Sequence, residues 1–235
     1  MELSEIYKNL EEVEKIIDYS FKDKTLLLLA FTHRSFVNEN RDLVRDHNER
    51  LEFLGDAVLG LLISEYLYKY LPETPEGELS YLRSRLVEAT SCVTYIQKLD
   101  LEKFLLLGKG EKMNDGRGRE SILSDLFEAL IGAVFVDGGI DGARRFIFHN
   151  FSIDINEIMK KPVHNWKALL QDYAQKHHQV TPVYEVMDES GPDHSKTFEI
   201  RVLIQDDEVG RGKGNSKKEA QQNAAEVGAH KLGIV

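Results

Sequence analysis

The residues best placed to do chemistry are acids. From Asn48 to Gly60 the chain reads NERLEFLGDAVLG, with Glu49, Glu52 and Asp56 at i, i+3 and i+7. On a helix those positions share one face. Leu51, Phe53, Leu54, Ala57, Val58, Leu59, Leu61 and Leu62 surround them, which predicts a helix that is apolar on nearly every side and largely buried. Carboxylates in such a helix need partners: metal ions are one solution, pairing with Arg50 and nearby bases another. The pattern recurs from Ser121 to Val136, SILSDLFEALIGAVFV, whose only charges are Asp125 and Glu128, again at i and i+3. Asp125 could also serve there as a cap near the helix start. Two buried helices with short acidic stripes predict that the stripes face each other. Convergent carboxylates make a hard, oxygen-rich site suited to Mg²⁺ or Mn²⁺. Two such ions about 4 Å apart can clamp the attacking water and the leaving oxygen of a phosphodiester.

The elements that must position these acids are helical as far as about residue 160. Leu26–Phe36, Glu49–Tyr70, Leu79–Lys98 and Ser121–Asp137 carry helical periodicity, Pro72 and Pro75 interrupt it, and Gly138-Gly139 ends the last stretch. Lys160-Lys161-Pro162 reads as a joint. Beyond it come a helix over Trp166–Lys176 and strands over Val183–Met187 and Thr197–Ile204. A tight turn at Gln205-Asp206-Asp207 leads into a third strand over Glu208–Gly212, and a last helix opens with Ser216 and Glu219 as a capping box. The expected architecture is a mainly α domain over residues 1–158, a linker over 159–163, and a small α+β domain of α-β-β-β-α order over 164–235.

Composition narrows the class. A single cysteine, Cys92, excludes an internal disulfide framework and a Cys-rich zinc site. No apolar run is long enough to span a bilayer, and Met1 to Asp18 is mixed-charge with no secretory core. The expectation is a cytoplasmic protein with no membrane partner. The net charge of −10 argues against a nucleic-acid partner when taken alone. Binding, however, depends on local patches, and acids that hold metal ions lower the net charge while helping to bind an anion.

NERLEFLGDAVLG resembles the signature of the ribonuclease III family. His33-Arg34-Ser35, Glu76-Gly77-Glu78-Leu79-Ser80 and SDLFEALIGA match that family in order. The resemblance implies a metal site of Glu52, Asp56, Asp125 and Glu128, with Asp56 and Glu128 catalytic. Glu52 and Glu128 would be direct ligands; Asp56 and Asp125 would bind directly or through water. It places Glu49 near a homodimer contact, Glu76 near the RNA and the scissile region, and Phe53 at the homodimer interface; an ordinary core phenylalanine is an equal reading of Phe53. It further implies a Mg²⁺-dependent endonuclease, with Mn²⁺ able to substitute, that cuts double-stranded RNA. Each site of a homodimer would cut one strand, leaving 5′-phosphate and 3′-hydroxyl ends with short 3′ overhangs, on precursors of ribosomal RNA and structured messenger RNAs.

The α-β-β-β-α unit resembles a double-stranded RNA-binding domain. Such a domain would touch RNA through Gln171 on its first helix, through His194 in the Gly191-Pro192-Asp193-His194 loop, and through the start of its last helix. There the GKGNSKKEAQQNAA stretch supplies Lys213, Ser216, Lys217 and Lys218. A helix N-terminus favours an anion. Lysines in that first turn oppose the dipole, so a solvated helix start is a poorer account of Lys217 and Lys218 than phosphate binding. His194 alone also reads as an ordinary loop histidine. Gly210-Arg211-Gly212-Lys213-Gly214 is superficially like a phosphate loop but lacks the GxxxxGK[ST] spacing. Ala168, Asp172 and Asp193 depart from the family pattern, which bears on how tightly the unit binds. Two other classes are weighed against this reading. A binding regulator without cleavage would have lost the acid set, which is intact. A small-molecule phosphohydrolase would have no use for the RNA-binding unit.

Overall fold

The computed structural model describes residues 3–42, 44–113, 118–160, 165–191 and 196–234. They form two compact units, one of residues 3–74 and 79–160 and one of residues 165–234 with which residues 75–78 are grouped. Of the expected joint at 159–163, residues 161–163 lie outside the described residues.

The first unit is helical: α1 (Leu3–Ile17), α2 (Lys24–Ala30), α3 (Arg34–Glu39), α4 (Glu49–Tyr70), α5 (Glu76–Val87), α6 (Ala89–Lys98), α7 (Lys109–Met113) and α8 (Arg119–Lys160). Its axis is the first half of α8. Leu126, Phe127, Ala129, Leu130, Ile131, Ala133 and Val134 are fully buried there, as expected of a helix wrapped by others. α4, α6 and α2 pack around it. Tyr95, Phe127 and Phe151 meet with ring centroids 4.8 to 5.4 Å apart.

Two helical stretches read from the sequence are broken differently. Leu26–Phe36 divides because Phe31 O accepts from Leu106 N (2.8 Å) and His33 N donates to Leu106 O (3.1 Å), pulling the backbone into a short bridge. Leu79–Lys98 divides at Glu88, whose extended backbone starts α6. The stretch that begins at Ser121 does end at Gly138-Gly139 as expected: Gly139 has φ 67° and ψ −170°, outside the helical region, and a second helical segment of α8 runs on beyond this kink. Asp137 pins the bend, accepting hydrogen bonds from Tyr19 OH (2.7 Å), Lys22 N (3.1 Å) and Asp23 N (2.9 Å).

Helix α4 is buried on one side only. Leu51, Gly55, Val58, Leu59, Leu62, Ile63 and Leu67 are inside. Phe53 is 81% exposed, and Leu61 and Tyr68 are exposed with it. The expectation of burial all round fails, and so does the core reading of Phe53.

The crossing of α4 and α8 is unusually close. A Cβ added to Gly55 would stand 1.8 Å from Glu128 O, and one added to Gly132 would stand 2.2 Å from Leu51 O. The two backbones touch without side chains between them, so only glycine fits at either point.

The second unit has α9 (Trp166–His178), strands β1 (Val183–Ser190), β2 (Thr197–Ile204) and β3 (Asp207–Gly214), and α10 (Lys217–Lys231). The antiparallel sheet runs in the order β1-β2-β3. Both helices cover one face, over a core of Leu170, Ala174, Ile200, Val202, Ile204, Val209, Ala220, Ala224 and Ala225. Gln205, at φ 58°, makes the β2–β3 turn. Gly210, Gly212 and Gly214 point at α10, where an added Cβ would lie 2.2 to 2.6 Å from backbone atoms of Ala220 and Ala224. These glycines serve close helix–strand packing and make no phosphate loop.

The crossing yields a stability prediction. Gly55→Ala forces α4 and α8 apart and costs about 3 kcal/mol. Gly77→Ala, where an added Cβ meets nothing within 4 Å, stabilises by about 0.5–1 kcal/mol through helix propensity. Urea unfolding midpoints of the two variants check this, and equal midpoints would contradict the close crossing.

Candidate functional site

The Gly55–Gly132 crossing decides which side chains meet. Glu52 and Asp56 flank Gly55 on α4, while Asp125 and Glu128 precede Gly132 on α8. Along α8 from Leu123 to Val134, Asp125 and Glu128 alone are not buried. Glu52, Asp125 and Glu128 each offer an oxygen within 4.8 Å of the other two. Asp56 is exposed and outside that trio, yet it acts electrostatically on both Glu128 and Glu52.

The start of α4 is held by Asn48, one of the few buried polar residues among those described. Its N–H donates to Thr32 O (2.9 Å), its Nδ2 donates to Ala30 O (3.2 Å), and its carbonyl accepts from Leu51 N and Glu52 N (both 2.9 Å). Glu52 therefore leaves the backbone at a fixed point.

The acids are frustrated when no cation joins them. Burial, then Asp56, Asp125 and Glu52, pushes the Glu128 carboxyl up to about 8. Burial, then Asp125, Glu49 and Asp56, raises Glu52. Burial raises Asp125 against a Ser121 hydrogen bond, with Glu49 adding and Arg34 opposing. Half-buried oxygens that repel one another at this spacing suit a small divalent ion, whose charge would relieve all three shifts.

Beside the trio lies a cleft of about 440 Å³ lined by His33, Arg34, Asn48, Glu49, Glu52, Glu111, Ser121 and Asp125, among others. Glu49 pairs loosely there with Arg34 (3.5 Å) and His47 (3.7 Å). Glu76 opens α5 and is not in the trio.

In the second unit, Ser216 Oγ caps α10 by accepting from Glu219 N (3.1 Å). Glu219 returns its carboxylate to Asn215 N (2.7 Å), one residue earlier than a capping box would have it. Lys217 lies over the Phe198 ring (5.5 Å) and 3.9 Å from Glu189. Lys218 lies toward Lys167, whose ammonium burial and Lys218 together hold below its ordinary range. Gln171 is exposed on α9. Lys213 stands apart on the helix-free face of the sheet, paired with Glu199 across the ladder (3.2 Å). His194 lies outside the described residues.

Residues 23–155 match the model of a Ribonuclease-III-like family, and residues 166–232 match the double-stranded RNA binding motif. Ribonuclease 3 of Protochlamydia amoebophila is 66% identical over 95% of this chain and 92% of its own length. Ribonuclease 3 of Natranaerobius thermophilus is 49% identical over 90% and 92%. The nuclease domain of ribonuclease III from Campylobacter jejuni, studied for flexibility in its dimer-forming region, superposes with a TM-score of 0.55. It is 42% identical, covering 61% of this chain and 99% of that one. The chain belongs to the ribonuclease III family. As a member of that family it is an endoribonuclease, built from a helical nuclease domain followed by a double-stranded RNA-binding domain.

The sequence reading of this ribonuclease passed over two residues. Asn48, the first residue of NERLEFLGDAVLG, shows its burial only in the fold. Lys167, in the first turn of α9, carries the same anti-dipole signal that singled out Lys217 and Lys218.

Glu128 gives a pH dependence. Its carboxyl titrates near 4.5 when unperturbed and near 8 in the folded chain, so between these values the folded state holds the extra proton. Its contribution to stability is full below pH 4.5 and lost as the pH rises through 8. Glu128→Gln removes that loss. In chelator at pH 8.5 the variant melts about 2–4 °C above the unmodified chain, and the gap closes below pH 4.5. Identical melting curves at pH 8.5 would contradict the crowding of acids around Glu128.

Proposed function

We propose that this enzyme hydrolyses phosphodiester bonds of double-stranded RNA with Mg²⁺ as its working ion and Mn²⁺ as a substitute. The observation that carries the reading is the convergence of Glu52, Asp125 and Glu128 at the α4–α8 crossing. In this reading residues 1–158 are the catalytic and dimerisation domain, and residues 164–235 bind the duplex.

Glu52, Asp56, Asp125 and Glu128 hold the metal. Bound there, a divalent ion supplies positive charge to the phosphoryl group as negative charge develops. Glu128, half-buried and with its carboxyl pushed up to about 8 by burial and the neighbouring acids, would have to be in its carboxylate form to hold the ion. Asp56, exposed beside Glu128, is free to orient a water toward the scissile phosphorus. Glu76 acts near the RNA.

An exposed apolar stripe on α4 supports a homodimer. Phe53, Leu61 and Tyr68 recur on one helix face, and an exposed phenylalanine beside a catalytic helix is costly unless covered. Phe53 and Glu49 are assigned to that contact. Two sites facing one duplex would leave 5′-phosphate and 3′-hydroxyl ends with short 3′ overhangs. Precursors of ribosomal RNA and structured messenger RNAs in the cytoplasm are the proposed substrates.

Duplex binding is assigned to Gln171, His194 and the start of α10, with Ser216 shaping the helix end and Lys217 and Lys218 meeting phosphates. Lys213, exposed and held only by a surface pair with Glu199 (3.2 Å), is assigned to the same phosphates.

Two experiments test the reading. End-labelled duplex RNA is cut in Mg²⁺ and left intact in chelator, and Glu128→Gln abolishes cutting while retaining binding in Ca²⁺; normal turnover by that variant rules out the ligand assignment. Replacing Lys217 and Lys218 together by alanine lowers affinity and reduces the slope of log K against log salt by about 1–2. An unchanged slope would remove both from the interface.

A further inference from the structure

Among the described residues lining the cleft beside the acid trio, Arg34 is the only cation beside four carboxylates, Glu49, Glu52, Glu111 and Asp125. The one titratable base besides it, His33, is held below its ordinary pKa, chiefly by burial, and is neutral near pH 7. Among the described residues, Arg34 therefore brings the one positive charge to the place where an anionic strand must approach acids.

The root of this side chain is fixed and its tip is not. Arg34 is the first residue of α3. His33 caps that helix, its Nδ1 accepting from Ser35 N (3.2 Å) and lying 2.7 Å from Ser35 Oγ. Ser35 Oγ accepts from Gly108 N (2.9 Å), and His33 N donates to Leu106 O (3.1 Å). The start of α3 is thus clamped to residues 106–108. The side chain is 67% exposed, and its partner Glu49, at 3.5 Å, is 47% exposed. Such a pair holds the arginine weakly.

Folding does not account for the charge. A cation in the first turn of a helix opposes the dipole. Its charge instead faces the site, since Arg34 and Asp125 line the same cleft. A guanidinium offers paired N–H donors matched to phosphate oxygens.

We propose that Arg34 is a substrate-contacting residue of the cleavage site. It leaves Glu49 and donates hydrogen bonds to a non-bridging phosphate oxygen of the RNA strand beside the scissile linkage. Glu49 is its resting partner in the free enzyme. The proposal rests on the reading of Glu52, Asp125 and Glu128 as the cleavage centre.

The test uses the full chain and a duplex RNA with a single cleavage site. Arg34→Ala, Arg34→Lys, Glu49→Gln and Glu128→Gln are compared by single-turnover cleavage in Mg²⁺, by the salt dependence of binding in Ca²⁺, and by thermal melting. Arg34→Ala is expected to slow cleavage roughly 10- to 100-fold, the loss of one charge-assisted contact. Its salt slope should fall by about one phosphate contact, with melting unchanged. Arg34→Lys should restore the slope but only part of the rate, since an ammonium keeps the charge and loses the fork. Glu49→Gln, which frees the arginine, should bind at least as tightly as the unmodified enzyme. If Arg34→Ala keeps the full rate and slope while Glu128→Gln is inactive, the role of Arg34 is overturned and the metal-site reading stands. If Glu128→Gln cleaves normally, the site reading fails and the proposal with it.

Discussion

Everything this enzyme does with its acids depends on one steric fact: two helix backbones meet with no side chains between them. At Gly55 and Gly132 the approach is so tight that a methyl group would overlap a carbonyl of the opposing helix. Side chains one turn away are then brought into a shared space that a leucine-spaced pair of helices would leave open. Glu52 and Asp56 sit on either side of one glycine, and Glu128 lies one turn before the other. The acid cluster is therefore an outcome of backbone packing, and its spacing is as rigid as the crossing that creates it.

That rigidity has an electrostatic cost. Carboxylates held half-buried and close together cannot spread apart to relieve repulsion, so the strain appears as raised affinity for protons. The rest of the helical unit supplies the restraint. Asn48 fixes the entry to α4, while Asp137 holds the loop after α1 against the bend in α8. The acid trio keeps unsatisfied charge, a common arrangement at sites built to receive a cation.

The sequence showed these features unevenly. Acid pairs at i, i+3 in apolar surroundings pointed to Glu52, Asp125 and Glu128, because helical periodicity is a local property and the surroundings were strongly apolar. The limits of α4, Glu49 to Tyr70, were likewise readable. The apolar surface of α4 misled, however: Phe53, Leu61 and Tyr68 look like core residues by type and lie outside. Apolar character says that a residue is covered somewhere, not that its own chain covers it. The breaks at Phe31–His33 and Glu88 were illegible for a different reason. They arise from hydrogen bonds to distant residues, or from an extended backbone with no proline or glycine to announce it. Lys213 and Lys217, only four positions apart, end on different faces because a strand stops and a helix starts between them.

The strand that ends there, β3, has two unlike sides. Toward α10 it offers Gly210, Gly212 and Gly214, where any added carbon strikes backbone. Away from it stand Arg211 and Lys213, joined to Glu199 and Glu208 by surface ion pairs. The inner side is closed to variation, because the distance between helix and sheet is set by main chain alone. The outer side carries nothing that the core depends on. Its charges could be rewritten wholesale, from mixed to basic or acidic, with the domain's shape left intact. The RNA-binding unit thus has a face whose electrostatic character can drift without disturbing the fold, while the residues that hold it together cannot.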